Sequence, residues 1–165
     1  MTPIVLSLFG VVFLALVIHG RLRYRHTTLA TLEPLPDETL LFEDDAAHFS
    51  AYAFNAPPRG PFVFQRAVVR VTDRRIVVAQ PALFSSSQRV IRYAIFTGPI
   101  PAALGSVLVD GYLSFVAGDA RVTEVQGRRV LEVAPAQAGA PYPRYVLIES
   151  PRLDEYEAAV TRRAV

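Results

Sequence analysis

The hydrophobic and polar positions divide the chain into three regions with different periods. Positions 2–20 are a continuous run without a charged residue, and most of its members are apolar. Between positions 37 and 149, short stretches alternate apolar and polar residues, which is typical of β-strands. From Ser150 onward the apolar residues Leu153, Tyr156 and Val160 recur at helical spacing. The pattern therefore predicts an apolar helix, a β-rich domain and a terminal amphipathic helix.

The run from Thr2 to Gly20 is long enough to cross a membrane. Its 19 residues would span about 28 Å as a helix, close to the roughly 30 Å thickness of the hydrocarbon core. A cleaved signal peptide and a buried core helix are the alternatives. A signal peptide has basic residues before its apolar stretch and small residues at its cleavage site, but here Val17-Ile18-His19 ends the run. We therefore expect one transmembrane helix.

Three basic residues, Arg21, Arg23 and Arg25, directly follow the apolar run. Arginine-rich flanks mark the cytoplasmic side of a membrane segment, so these residues are the expected topology determinants. The prediction is a single-pass protein of the inner (plasma) membrane, with its N-terminus outside and its domain in the cytoplasm.

Strands are predicted where alternating stretches are bounded by turn residues. The stretches are 40–42, 48–54, 62–72, 75–80, 89–96, 111–117, 120–125, 128–133 and 144–149. Turns are expected at Asp73-Arg74, Ser85-Ser-Ser87, Gly118-Asp119 and Gln126-Gly127. Ser150 fits the N-cap of the terminal helix and Pro151 its first position. The predicted fold is mainly β, a barrel or sandwich of six or seven strands with the helix closing one end.

The predicted organisation has three parts. Residues 1–26 form the transmembrane helix and its basic border. Residues 27–36 form a linker, because Pro34 and Pro36 forbid continuation of the helix and the segment lacks periodicity. Residues 37–165 form the β domain with its terminal helix.

Composition and charge narrow the classes of function. The chain contains no Cys, which excludes disulfides, thiolate zinc sites and cysteine nucleophiles. All 17 basic residues are Arg, and from position 31 onward 14 Arg stand against 15 acids. The domain is therefore near neutral, whereas binding to nucleic acid requires a basic face. We expect no nucleic-acid partner.

Several segments resemble the bacterial pleckstrin-homology-like and GRAM-like domains. The best match is Val71-Thr72-Asp73-Arg74-Arg75-Ile76, which is similar to the family's strand ending in Leu-Thr-Asp-Arg-Arg-Leu. Glu38 matches an early Gly-Glu pair, with Asp37 where Gly is usual. The resemblance covers about residues 35–163. It implies a strongly bent, seven-stranded barrel capped by the helix, and a family that binds or assembles without catalytic residues.

Motifs that carry chemistry are missing from the sequence. The three His residues, at positions 19, 26 and 48, have no second ligand at metal-binding spacing. Glu43-Asp44-Asp45 is the only acidic cluster, and we interpret it as a solvated turn rather than a cation site. No phosphate loop, nucleophile elbow or zinc-protease motif occurs. We therefore expect no catalytic residue, no cofactor and no metal, and a protein that is not an enzyme.

Two features are candidate contact surfaces. The first is a cluster of Arg in positions 59–92, which hold seven Arg and one Asp, while positions 32–58 hold six acids and no Arg. Arg66, Arg70, Arg89 and Arg92 could form a basic patch for anionic headgroups or an acidic partner. The alternative, which we favour, is that these Arg pair with acids of the first segment across the sheet.

The second feature is the uncharged segment 93–109. It is rich in large apolar residues but broken by Gly and Pro, so it is a poor spanning helix. It is either an apolar contact loop or a connection that covers one end of the barrel. The candidate contact residues are Phe96, Ile100, Leu104 and Leu108.

Together these features predict a membrane-anchored, non-enzymatic binding or assembly module. A protein-interaction domain facing the cytoplasm, including self-association, is the first hypothesis. Direct recognition of anionic lipid by the Arg-rich sheet face is the alternative.

Overall fold

The computed structural model describes residues 10–19, 28–52, 62–82, 85–101, 113–136 and 145–161. The elements are an N-terminal helix α1 (10–19), nine strands and a C-terminal helix α2 (Leu153–Thr161). The strands are β1 (Leu40–Asp44), β2 (His48–Tyr52), β3 (Gln65–Arg66), β4 (Val68–Thr72), β5 (Arg75–Ala82), β6 (Ser85–Phe96), β7 (Leu113–Val125), β8 (Arg128–Pro135) and β9 (Tyr145–Glu149). The prediction of a mainly β chain with a C-terminal helix is confirmed.

The strands form one sheet in the order β1-β4-β5-β6-β7-β8-β9-β2-β3. Neighbouring strands are antiparallel, except that β6 and β7 are parallel. The strand predicted over 62–72 begins at Gln65 and is interrupted at Ala67, so β3 pairs with β2 while β4 pairs with β1. The N–H of Ala67 donates to the carbonyl of Ala47 (2.9 Å), which joins the two chain segments at their bend.

The main core lies on one face of the strands and beneath α2. Alternating residues of β4, β5 and β9 fill it, as period-two patterning requires. From α2 it receives Leu153, Tyr156 and Ala159. The predicted apolar face of this helix is therefore confirmed, with Tyr156 fully buried.

A second apolar cluster covers the opposite face of β4, β5 and β6. Val68, Val77 and Phe96 contribute to it from the strands, and Leu29 packs against them while only 5% exposed. Thr28 pairs with Val90 of β6, and the N–H of Leu29 donates to the carbonyl of Arg89 (2.7 Å). The part of the predicted linker that the structure describes, 28–36, is therefore packed onto the sheet. We call residues 28–36 the strap.

Two predicted turns are wrong, and the structure gives the physical reason for the first of them. Ala117 pairs with Pro135 and Asp119 with Ala134, so Gly118 is the extra residue of a bulge within the continuous strand β7. A Cβ atom at Gly118 would overlap the backbone of Ala136, so this glycine permits close approach of two backbones. The serines at 85–87 begin β6 instead of forming a turn.

The predicted turn between β7 and β8 is confirmed. Gln126 and Gly127 have φ angles of 53° and 74°. Positive φ at both central residues is the geometry that two-residue hairpins favour, and glycine adopts it without strain.

Helix α1 exposes nearly all of its described side chains, and only Val17 is half-buried. Within the described residues, no helix has both the length and the apolar character needed to span a membrane. Residues 1–9 and 20–27 lie outside the described residues, and with them the predicted topology determinants Arg21, Arg23 and Arg25.

Candidate functional site

A cleft of about 480 Å³ opens beside the main core, where β2, β3, β5 and β6 come together. Aromatic rings and polar side chains share its described wall, and one of the polar groups is a guanidinium. Its described lining is Phe49, Ser50, Ala51, Tyr52, Phe62, Val63, Gln65, Gln80, Arg92 and Tyr93. Aromatic side chains with polar and charged groups placed among them are the kinds of residue that orient a ligand in a binding cleft.

A bulge in β6 brings the charge into this cleft. Val78 of β5 pairs with Tyr93, and Ala79 pairs with Ile91, so Arg92 is the extra residue. A bulge interrupts the alternation of side chains and re-aims the extra residue. Arg92 therefore lines the cleft next to Tyr93 instead of pointing to the opposite face.

Two glutamines hold the guanidinium in position. Arg92 donates from Nε to Oε1 of Gln80 (3.2 Å). Gln80 donates from Nε2 to Oε1 of Gln65 (2.6 Å). The chain of hydrogen bonds runs across β6, β5 and β3, so the three strands fix one polar wall of the cleft.

The other walls are aromatic. The ring of Phe49 meets Tyr93 edge to face at 5.7 Å, and Tyr52 lies 5.2 Å from Phe62 and stacks on Tyr145 at 4.9 Å. Burial raises the pKa of Tyr52 to about 12, with further contributions from Glu132 and Tyr145. Burial also raises the pKa of Tyr93, although the charge of Arg92 acts in the opposite direction. Both phenols are therefore neutral hydrogen-bonding groups at physiological pH.

The four predicted Arg do not share one surface. Arg70 lies opposite Glu43 across β1 and β4 and forms an ion pair with it (2.9 Å). Arg66 is exposed on β3 opposite His48, and Arg89 is half-buried beside the strap. Arg92 lines the cleft. The cross-strand pairing that we favoured is therefore present for Arg70.

The predicted apolar contact loop lies only partly within the described residues. Phe96 is 2% exposed at the end of β6, in the cluster beneath the strap. Ile100 is half-buried against the same cluster. Phe96 is therefore a core residue and not a contact residue, because the strap covers that face of the sheet. Leu104 and Leu108 lie outside the described residues.

Two residues of the Thr-Asp-Arg-Arg segment, Thr72 and Arg75, form a buried network with Glu38 and the strap. The side chains of Arg75 and Glu38 are 3% and 2% exposed and form an ion pair of 2.8 Å. Arg75 donates from Nε and Nη2 to the two carboxylate oxygens of Glu38 (both 2.8 Å) and from Nη2 to the carbonyl of Glu33 (2.7 Å). Thr72 and the N–H of Leu35 also donate to Glu38 (both 2.7 Å). Every charge in this network has partners, so it holds the strap on the first hairpin.

Burial by itself would raise the pKa of Glu38. The hydrogen bonds from Arg75, Leu35 and Thr72 and the charge of Arg75 outweigh this effect, and the pKa of Glu38 lies below its ordinary value. The preceding residue, Asp37, has a φ of 58°. Glycine adopts this left-handed conformation without steric cost, and Asp is among the side chains that tolerate it.

The acidic cluster at 43–45 is only partly the solvated turn that we expected, because Glu43 and Asp45 are exposed whereas Asp44 is buried. Asp44 is 2% exposed and accepts hydrogen bonds from the N–H of Ala46 (3.0 Å), the hydroxyl of Ser150 and the hydroxyl of Tyr156 (3.1 Å). Ser150 also accepts from the N–H of Arg152 (2.9 Å), as its predicted capping role requires. Asp44 therefore fixes α2 against the bend between β1 and β2.

A second concavity, of about 990 Å³, lies between the β7–β8 turn and the start of α2. Its two cations are already in ion pairs, Arg128 with Glu149 (2.8 Å) and Arg129 with Asp154 (2.7 Å). Within the described ranges, no three His, Cys, Asp or Glu side chains are grouped so that they could hold a metal ion. The cleft beside Arg92 is therefore the better candidate for ligand binding.

Comparison of the chain with models of known families, with curated proteins and with solved structures gives no significant match.

Proposed function

We propose that the chain is a membrane-anchored, non-enzymatic binding module whose pleckstrin-homology-like domain takes a segment of a protein partner in the cleft between β2 and β6. The observation that carries this proposal is the composition of the cleft, in which aromatic walls surround Arg92. Aromatic residues and Arg are the residue types enriched where proteins bind one another tightly.

The strand pairing supports a barrel of the pleckstrin-homology type. Only Ala67 separates β3 from β4, and three residues separate β1 from β2, so each pair is equivalent to one bent strand. Nine strands counted this way become seven. The bent strand β1–β2 pairs with the bent strand β3–β4, because β1 pairs with β4 and β2 pairs with β3. It also pairs with the last strand, because β2 pairs with β9. This circuit of pairing, with α2 on the core, agrees with a closed barrel capped by a helix.

Helix α1 supports the anchor. Six of its large apolar side chains, from Val11 to Ile18, are between 49% and 66% exposed. A water-exposed helix of this composition would be unfavourable, whereas a bilayer would cover it on all sides. Residues 2–9 and Gly20 extend the same uncharged run.

The chemistry of the cleft supports binding over turnover. Its described lining offers neutral phenols, amides, a hydroxyl and one guanidinium. None of these described groups is a carboxylate or imidazole of the kind that general acid–base catalysis uses most.

Recognition of anionic lipid by Arg66, Arg70, Arg89 and Arg92 is the second candidate. Arg70 is already paired with Glu43, and Arg92 lines a cleft on the opposite side of the strand layer from the strap. These positions weaken the case for a continuous basic surface and favour a protein partner.

Anchoring and orientation are tested together with the single-cysteine variant Asp119→Cys, because the natural chain has no Cys and the Asp119 side chain is 58% exposed. We expect the protein to stay in the membrane fraction after alkaline carbonate extraction. A membrane-impermeant maleimide should label it only after the cells are permeabilised. Release by carbonate would contradict the anchor, and labelling in intact cells would contradict the cytoplasmic orientation.

A further inference from the structure

We propose that the partner segment recognised by the cleft is acidic, and that it places a carboxylate against Arg92 and a neighbouring apolar side chain against the aromatic walls. This inference rests on the proposed function and specifies the chemistry of the ligand.

Charge complementarity carries the first step. Arg92 is the one charged residue in the described lining of the cleft, and the remaining polar lining is neutral. A guanidinium binds a carboxylate through hydrogen bonds that are both charge-assisted and geometrically specific. An anionic ligand is therefore favoured, and a basic segment such as the chain's own Arg21, Arg23 and Arg25 would be repelled.

The fixed position of the cation carries the second step. The bulge in β6 and the hydrogen bond to Gln80 place the guanidinium before any ligand arrives. A preorganised cation loses little conformational freedom on binding, so more of the interaction contributes to affinity. By comparison, Arg121 on the exposed surface of β7 is 62% exposed and lies beside Asp119 and Glu132 (3.2 and 3.3 Å).

The aromatic walls carry the third step. Phe49, Tyr52, Phe62 and Tyr93 leave a space of about 480 Å³, within the range of about 300–1,000 Å³ that is typical of ligand clefts. A carboxylate alone would leave this apolar surface uncovered. An aliphatic or aromatic side chain next to the acid would cover it, which makes a peptide segment a better occupant than a small anion.

The position of the strap indicates where the partner segment lies. Val90 pairs with Gln80 of the cleft on one side and with Thr28 of the strap on the other. Residues 20–27 connect Thr28 to α1 and can span at most about 30 Å. With α1 in the membrane, the cleft is held near the bilayer, within reach of the cytoplasmic juxtamembrane segment of another membrane protein.

The test uses the full chain in nanodiscs of neutral phosphatidylcholine and a library of randomised short peptides. We expect the enriched peptides to carry Asp or Glu next to an aromatic or aliphatic residue. Their affinity should fall at least about tenfold for Arg92→Gln, since removing one partner of a desolvated charge pair is costly. The matched variant Arg121→Gln should bind like the natural chain.

A second measurement does not depend on the folding of a variant. Peptides in which each acid is replaced by its amide should bind the natural chain at least about tenfold more weakly. Enrichment without acids, or equal affinity for acid and amide peptides, would overturn the inference. If such peptides still lost binding to Tyr52→Ala, the proposed function would stand.

Two further outcomes would overturn the inference together with the proposed protein partner. Capture of no peptide at all would overturn both the inference and the choice of a protein partner. Displacement of acidic peptides when phosphatidylglycerol replaces phosphatidylcholine in the nanodiscs, with loss of this effect in Arg92→Gln, would identify anionic lipid as the ligand and overturn the inference.

Discussion

Replacing Glu38 by Ala should lower the free energy of unfolding by about 3–5 kcal/mol, because it leaves the charge of Arg75 buried without its partner. The Arg75 side chain is 3% exposed and cannot recover the lost interactions from water without moving the strap. Urea titration of the full chain in mild detergent, followed by far-ultraviolet circular dichroism, measures the effect. The double variant Glu38→Leu/Arg75→Met removes both charges, so its free energy of unfolding should fall by less than that of Glu38→Ala.

The exposed ion pair between Glu43 and Arg70 provides the matched control. Its side chains are 43% and 29% exposed, so Glu43→Ala should cost less than about 1 kcal/mol. Equal losses for the two substitutions would contradict the structural role of the buried network. So would a Glu38→Ala variant as stable as the natural chain.

The same carboxylate makes stability depend on pH. Because the pKa of Glu38 in the folded chain lies below its unfolded value, its contribution is complete above the unfolded pKa. That contribution is lost as the pH falls through the lower folded pKa. Below the unfolded pKa of Glu38, the free energy of unfolding should therefore fall less steeply with decreasing pH in Glu38→Gln than in the natural chain.

Replacing Tyr156 by Ala should also destabilise the chain strongly, by about 3–5 kcal/mol, because it leaves a cavity under α2. Tyr156 is fully buried, and Phe42 meets its ring edge to face at 5.0 Å. Tyr156→Phe keeps the ring and removes only the hydrogen bond to Asp44, so it should cost about 1.5–3 kcal/mol. The same urea titration compares the two variants.

The expected cost of Tyr156→Phe depends on the tyrosine hydroxyl being a hydrogen-bond donor to Asp44. Burial and the adjacent charge of Asp44 raise the pKa of Tyr156 far above its ordinary value, so the hydroxyl remains a donor at any ordinary pH. On the exposed face of α2, Glu157→Ala should change stability by less than about 0.5 kcal/mol. If Tyr156→Phe and Tyr156→Ala lowered the free energy of unfolding equally, the packing of the ring would contribute nothing. That result would contradict its burial and its contact with Phe42.

Period-two patterning predicted most of the fold because most strands bury one face. Val69 and Val71 point to the main core, and the predicted hairpin after Thr72 is confirmed by the pairing of β4 with β5. Glycine was ambiguous by comparison. Gly127 lies in a turn, where its φ angle is positive. Gly118 lies in a bulge, where a side chain would overlap the backbone of Ala136. The sequence does not distinguish these two uses of glycine.

The strap and the cleft were beyond sequence reasoning for a different reason. Leu29, Leu32 and Leu35 lie in a segment that the prolines indicated to be a linker, and only the apolar outer face of β4–β6 explains why they pack there. Arg92 was predicted as a binding residue on a sheet face, but the bulge that directs it into the cleft leaves no signature in the sequence. Tyr52, Phe62 and Gln65 were not predicted, because their convergence depends on how β2 and β3 bend.

Site-directed photocrosslinking in native membranes tests most directly whether the cleft binds a protein. Val63 lines the cleft and is 69% exposed, so p-benzoylphenylalanine at this position would face a bound partner without replacing a polar contact of the cleft. Glu124, exposed on β7, is the control position. We expect an adduct with a second protein from position 63, weaker in Arg92→Gln and missing from position 124. Adducts with lipid alone, or the same protein adducts from both positions, would contradict a protein-binding cleft.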